Sequence, residues 1–158
     1  MNGLEIEKTL TDVFAASRKY SRNAKFLGVF AKDRLPVTIP RDCPCLLVAN
    51  TDDHSKPGQH WVAMYIQSNN AYAEYFDSFG EPPLPVFASY LLRHAKRIKC
   101  NRKQIQSIAS MYCGQYVVLY CAFRAIGYKV HKFASMFTKD FGFNDMFAHH
   151  LACKMLAR

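Results

Sequence analysis

Acidic residues are scarce in this chain: 12 Asp and Glu stand against 21 Lys and Arg in 158 residues, a net charge of +9 with histidine neutral. Such an excess suggests a polyanionic partner, nucleic acid first and an anionic surface second; the plainer alternative is charge that keeps a small protein soluble. A signal-peptide core is lacking as well, because MNGLEIEKTL carries charges where an apolar stretch is required. The six cysteines, at 43, 45, 100, 113, 121 and 153, therefore fit an intracellular, reducing location better than a disulfide framework. Metal-binding spacing is absent too. Cys43-Pro44-Cys45 is one residue short of CxxC and no Cys/His pair lies at zinc-finger distance, so no metal is assigned. No run is suited to a membrane: the most apolar stretch, Ile108 to Ile126, includes Gln115 and Arg124 and reads as a buried core helix. Repeats and low-complexity tracts are missing. What is present is a chain 50% hydrophobic and 14% aromatic, which excludes disorder and predicts one domain over 1–158, acting as a monomer.

Periodicity organises that domain. Leu4, Ile6, Leu10, Val13 and Phe14 predict an amphipathic helix over 4–19. The segments KFLGVFAKDRLP and VTIPRDCP, broken by Gly28, Pro36, Pro40 and Pro44, read as loops or edge segments. CLLVAN predicts a buried strand, and two more follow at 60–66 and 71–77. A helix is expected over 84–96, a brief strand near 103–107, a helix from about 112 to 126, and a last helix in FNDMFAHHLACKML. Strands in the middle with helices on either side predict an α+β fold, one mixed sheet between helices.

The second and third strands carry His60 and Asp77 at their outer ends. With a four-residue loop at 67–70, Ile66 pairs Ala71 and His60 stands opposite Asp77, their Cβ atoms roughly 4.5–5.5 Å apart. A carboxylate there takes the imidazole's Nδ1 proton and holds Nε2 outward as a base. Shifting the loop by one residue would put the two on opposite faces. Cys113-Gly114 opens the apolar helix, so the thiol lies at the helix N-terminus, where free N–H groups favour a thiolate. Gly114 leaves the backbone room to approach a substrate carbonyl. Gln106, seven positions before Cys113, is a donor for a developing oxyanion together with the Cys113 N–H; Gln104 and Gln115 compete for that part. Cys45, Cys121 and Cys153 read as ordinary buried thiols.

His60-Trp61, the acid in YFDSFG, Gln106 and Cys113-Gly114 come in an order that resembles the adenovirus-type (adenain-like) cysteine proteases. FLG at 26–28, the strand ending in Asn50-Thr51, and Gly58-x-His60-Trp61 extend the likeness over about residues 20 to 126. The wider superfamily, with the SUMO-specific proteases, shares the order and often has DS at the acid, as in Asp77-Ser78. The resemblance implies a papain-like fold with the nucleophile at the start of a buried helix. It implies His60 as general base and acid, Asp77 as its orienter, Gln106 as oxyanion donor and Cys113 as nucleophile. Trp61, with Gly114, would line the substrate's path. Asp77 stands where adenoviral enzymes usually carry glutamate, and the chain is shorter than theirs, which is similar to compact proteases of Maverick/Polinton-like elements and other double-stranded DNA viruses.

The resemblance further implies cleavage of capsid precursors near glycine-containing motifs, no cofactor for the chemistry, activation by DNA and a short peptide, and a place in the host nucleus or virion. Cys100 lies near where adenoviral enzymes hold their peptide, but reads more simply as a surface or strand cysteine. Arg93, Lys96, Arg97, Lys99, Arg102 and Lys103 form a basic run suited to DNA phosphates, with Arg18, Lys19, Arg22 and Lys25 as a second group. Two other readings stay open: an isopeptidase for SUMO-like or ubiquitin-like modifiers, and a nucleic-acid-binding module with an inert site.

Overall fold

The computed structural model describes residues 1–16 and 24–157. Chain order is α1 (Gly3–Ala16), β1 (Lys25–Ala31), β2 (Cys45–Asn50), β3 (Trp61–Ile66), β4 (Ala73–Phe76), α2 (Pro85–His94), β5 (Ile98–Cys100), α3 (Cys113–Ala125), α4 (Val130–Ala134) and α5 (Phe141–Leu156). The five strands form one sheet in sequence order. Its outer pairs, β1 with β2 and β4 with β5, are parallel, and the inner pairs are antiparallel. The mixed sheet and α+β class are those predicted.

Nearly every residue of β2 and β3 is buried, which is why CLLVAN and WVAMYI are apolar throughout rather than alternating. One face of the sheet packs on α1, α3, α4 and α5 around Phe76, Tyr116 and Tyr120; the other packs on α2 around Leu47, Tyr75 and Phe87. Helix α3 is buried on almost all sides, as expected of a helix that is apolar all round. Glu74 on β4 ties it down: Oε2 accepts from Tyr120 Oη at 2.9 Å, Arg124 Nε at 2.8 Å and the Val130 amide at 3.2 Å. The Arg124 guanidinium also lies 3.6 Å over the Tyr65 ring.

Several boundaries differ from expectation. The 25–31 stretch is a full edge strand, and Gly28, at φ +126°, sits where its register slips, a bulge that only glycine adopts without strain. Residues 103–107 form no strand: the Ile105 and Gln106 amides both donate to the single carbonyl of Ser78 rather than to successive carbonyls of a neighbouring strand. The fifth strand lies at 98–100 instead, inside the basic run. Helix α4 was not anticipated, being a single short turn of helix. The predicted 17–19 end of the first helix lies outside the described residues. The β3–β4 hairpin is longer than predicted: Ile66 pairs Ala73, not Ala71, because Gln67 and Tyr72 extend the loop around Asn70, which adopts φ +55°.

Candidate active site

That slip is two residues, an even number, so it preserves which face each side chain takes. His60 precedes β3 and Asp77 follows β4, on the rim of the sheet, and His60 Nε2 donates to Asp77 Oδ1 at 3.0 Å. The nitrogen facing the acid is thus Nε2 rather than the expected Nδ1. The same ring also hydrogen-bonds the Cys113 side chain.

Asp77 is fixed from several sides. Oδ1 also accepts from the Phe79 amide at 2.7 Å. Its backbone is clasped by Asn101, whose Oδ1 accepts from the Asp77 amide at 3.0 Å and whose Nδ2 donates to the Asp77 carbonyl at 2.6 Å. Phe79 stacks on the His60 ring with centroids 4.8 Å apart. Ser78 holds the next member: its Oγ donates to Gln106 Oε1 at 2.6 Å, setting which way that carboxamide faces. Gln106 Nε2 donates to the Ser110 carbonyl and hydroxyl at 3.0 and 3.1 Å, and Gln104 Nε2 donates to the Gln106 carbonyl at 2.9 Å. Asp77, Ser78, Asn101 and Gln106 are all buried. Neither Asn101 nor Ser78 was assigned a part from sequence. Ser78 was marked only by the DS of the family likeness, and Asn101, inside the basic run, by nothing local.

Cys113 is the first residue of α3, and the preceding Tyr112 offers no side-chain cap, so the first-turn N–H groups stay available. Burial alone would raise this thiol's pKa. The hydrogen bond and charge of His60, with the Trp61 and Gly114 amides, outweigh it and hold the thiol below its ordinary 9.0. For His60, burial would lower the pKa, but Asp77 and Cys113 together lift it to about 9. Each group stabilises the charged form of the other, the signature of a thiolate–imidazolium pair.

His60, Trp61, Phe79, Gln106, Ser110 and Cys113 share one groove of about 360 Å³ whose opposite wall is Met1, Asn2 and Gly3. Gln106 is on its wall; Gln104 and Gln115 are not. Gly114 departs from the expectation. It does not line the groove: a Cβ on it would lie 2.9 Å from Met1 Cβ and 3.4 Å from Ile6 Cδ1, so its bareness admits the start of α1. Trp61 does line it, with Gly3 against its ring. Among the described residues no cluster of three metal-ligating side chains occurs.

The basic run is spread over α2, β5 and the following turn. Lys99 Nζ lies 4.1 Å over the Tyr72 ring and Lys103 Nζ donates to the Phe137 carbonyl. Arg93 is 5.6 Å over Tyr90, and Arg93, Lys96, Arg97 and Arg102 are exposed. Of the second group, Arg18, Lys19 and Arg22 lie outside the described residues and Lys25 opens β1. Cys100 ends the edge strand β5, half-buried, its pKa raised by burial. Cys45 and Cys121 are buried as expected, whereas Cys153 is exposed, on the solvent side of α5.

No protein-family model and no curated protein sequence matches the chain. Solved structures do. The ASFV pS273R protease superposes with a TM-score of 0.69 at 17% identity, covering 94% of this chain and 66% of the other. The SUMO protease Ulp1, in a form with its catalytic cysteine oxidised to a sulfinic acid, superposes with a TM-score of 0.53 at 14% identity, covering 99% of this chain and 78% of the other. The chain thus spans about two thirds of the length of the first, and it has the α+β fold that these two proteases share.

Proposed function

We propose that this chain is a cysteine endopeptidase. The observation that carries the reading is the meeting, in one groove at a helix N-terminus, of a thiol held below its ordinary pKa with an imidazole raised to about 9 by an aspartate 3.0 Å away. In this reading Cys113 attacks the scissile carbonyl as a thiolate, and His60 passes its proton to the leaving amine. Water then enters, His60 takes its proton, and the thioester opens. The oxyanion formed in both halves draws on the Cys113 amide and on Gln106 Nε2, competing with Ser110 for that donor; losing one such donor costs about 2.7–4 kcal/mol of barrier. Trp61 lines the substrate's path, and no cofactor enters.

The finer reading is an adenovirus-type enzyme, of viral or Maverick/Polinton-like origin, that cleaves capsid precursors near glycine-containing motifs in the host nucleus or virion, with DNA and a short peptide as activators. The motif order supports it, as does the fold shared with the ASFV protease. A second reading, release of SUMO-like modifiers, is favoured by the fold shared with Ulp1. An internally quenched peptide containing Gly-Gly separates them, assayed with and without duplex DNA. Turnover that is lost in Cys113→Ala and raised by DNA supports the viral-type reading. Silence on peptides with cleavage of SUMO precursors supports the second. Silence on both, with Cys113 alkylated no faster than the other thiols at neutral pH, sinks the peptidase reading and leaves an inert nucleic-acid-binding module.

A further inference from the structure

A second cavity, of about 440 Å³, adjoins the groove and shares Asn2, Gly3, Asn50, Gly58 and Trp61 with it. The two spaces meet at Trp61, and the groove on the other side of that meeting holds Cys113. The wall of the second cavity is apolar at Val29, Phe30 and Pro57 and acidic at Glu7, Asp52 and Asp53.

The acids differ in their partners. Asp53 is matched by Lys32 at 3.6 Å and Lys56 at 3.9 Å. His54, also on the wall, is taken by Asp33 at 2.5 Å and Arg34 at 3.2 Å. Asp52 stands apart. It is only 8% exposed. Its amide is held by Asn50 Oδ1 at 2.9 Å and its carbonyl by the Lys32 amide at 3.1 Å, yet among the described residues its carboxylate has no hydrogen bond and no cation. Asp52 lines the cavity, and neither of its carboxylate oxygens is among the side-chain atoms sealed from solvent without a partner. Glu7, on α1, is likewise without a cation. In a chain of net +9, the unmatched charges of this cavity are both negative. A cation entering the cavity would find Asp52 without an ion-pair partner to displace, beside low-dielectric walls that strengthen the attraction.

Building on the peptidase reading, we propose that this cavity is a specificity subsite for a Lys or Arg side chain of the substrate, a few residues from the scissile bond, and that Asp52 selects it with Glu7 beside it. The apolar wall takes the methylene stem, as long basic side chains bury their stems while the head finds polar company. The backbone bonds to Asn50 and Lys32 hold Asp52 in place before the substrate arrives.

The test uses internally quenched Ala/Gly peptides built around Gly-Gly, with a single Lys or Met walked across the positions on both sides. Each is assayed for turnover by the native chain and for binding to Cys113→Ala by fluorescence anisotropy. At one position Lys is expected to outdo Met by about tenfold or more, the equivalent of one charge-assisted contact. Asp52→Asn should bring that ratio near one, and Asp52→Lys should make Glu preferred there. Glu7→Gln, at an exposed position where folding is not at stake, should lower the ratio part-way. No position favouring Lys, or a preference that survives both Asp52→Asn and Glu7→Gln, overturns the subsite. Turnover without the preference sinks the subsite and leaves the peptidase. A Glu7- and Asp52-dependent preference in binding without any turnover does the reverse.

Discussion

Asp77 Oδ1 serves His60 and the Phe79 amide at once, and Asn101 grips the same residue's backbone through both ends of its carboxamide. A side chain held this way loses little entropy when the imidazole charges, which is what an orienting carboxylate needs. The pH behaviour of the pair follows. Cys113 is thiolate above its lowered pKa, and His60 keeps its proton up to about 9. Reaction therefore rises on the acid side as the thiol ionises and falls near pH 9 as the imidazole loses the proton owed to the leaving group. In Asp77→Asn a group that raises the His60 pKa is gone, so the falling limb should move to lower pH and turnover should drop to a weak remainder. Turnover against pH measures this; a falling limb that stays near 9 in the variant would show that Asp77 does not set the His60 proton. Part of the site was legible in the sequence: hairpin parity put His60 and Asp77 on one face and a helix start placed Cys113. With Ile66 paired to Ala73, the first two are nonetheless not directly opposed. Gln106 came from the family likeness, since spacing left Gln104 and Gln115 open. The choice of Nε2 was not legible, because it depends on which way a rim histidine enters its strand. Nor was Asn101, whose bonds to Asp77 span 24 positions with no local pattern to mark them.

At the scale of elements, β4 and α3 carry the acid and the thiol, and the fold must hold them to each other. Glu74, the second residue of β4 among apolar neighbours, is fully buried and bonded to Tyr120, Arg124 and the start of α4. A buried pair of this kind adds little against an apolar substitute, but breaking it leaves a charge in the core. Arg124→Ala should therefore destabilise by about 3–5 kcal/mol, while Glu74→Leu combined with Arg124→Met should recover much of that loss. Urea unfolding reads both; a single variant as stable as the native chain would show that the pair is not what locks α3 to β4. The elements themselves were legible where apolar pattern decides them: α3, β2 and β3 lie within a residue or two of expectation. Strand β5 was not, because an edge strand with a lysine in its middle looks like the rest of a basic run. Residues 103–107 look alternating, yet they are held by one carbonyl and the Ser78 and Gln106 side chains rather than by a neighbouring strand.

At the scale of the whole molecule, the charge of +9 is distributed unevenly. The unmatched charges of the cavity beside the groove are acidic, while Arg93, Lys96, Arg97 and Arg102 stand exposed at the end of α2 and around β5. Separating the two signs lets one surface attract a polyanion without drawing it into the substrate path. Of the six basic residues in the run, Lys99 is half-buried with its ammonium 4.1 Å over the Tyr72 ring, and Lys103 donates to the Phe137 carbonyl. Arg93, exposed and more distant at 5.6 Å over Tyr90, is left for phosphates with Lys96, Arg97 and Arg102. If this surface takes duplex DNA, binding releases about one counterion per phosphate neutralised, and the logarithm of affinity falls with the logarithm of salt at a slope of about −0.9 per contact. Four contacts give a slope of about −3.6, so affinity should fall by about two orders of magnitude between 50 and 200 mM salt. Replacing Arg93, Lys96, Arg97 and Arg102 with Gln should flatten the slope, whereas Lys99→Gln and Lys103→Gln should leave it nearly as steep. Anisotropy titrations of a labelled duplex across that salt range measure both. An affinity that hardly changes with salt removes DNA as a partner, and a slope that depends on Lys99 or Lys103 instead means that those contacts open when the polyanion arrives.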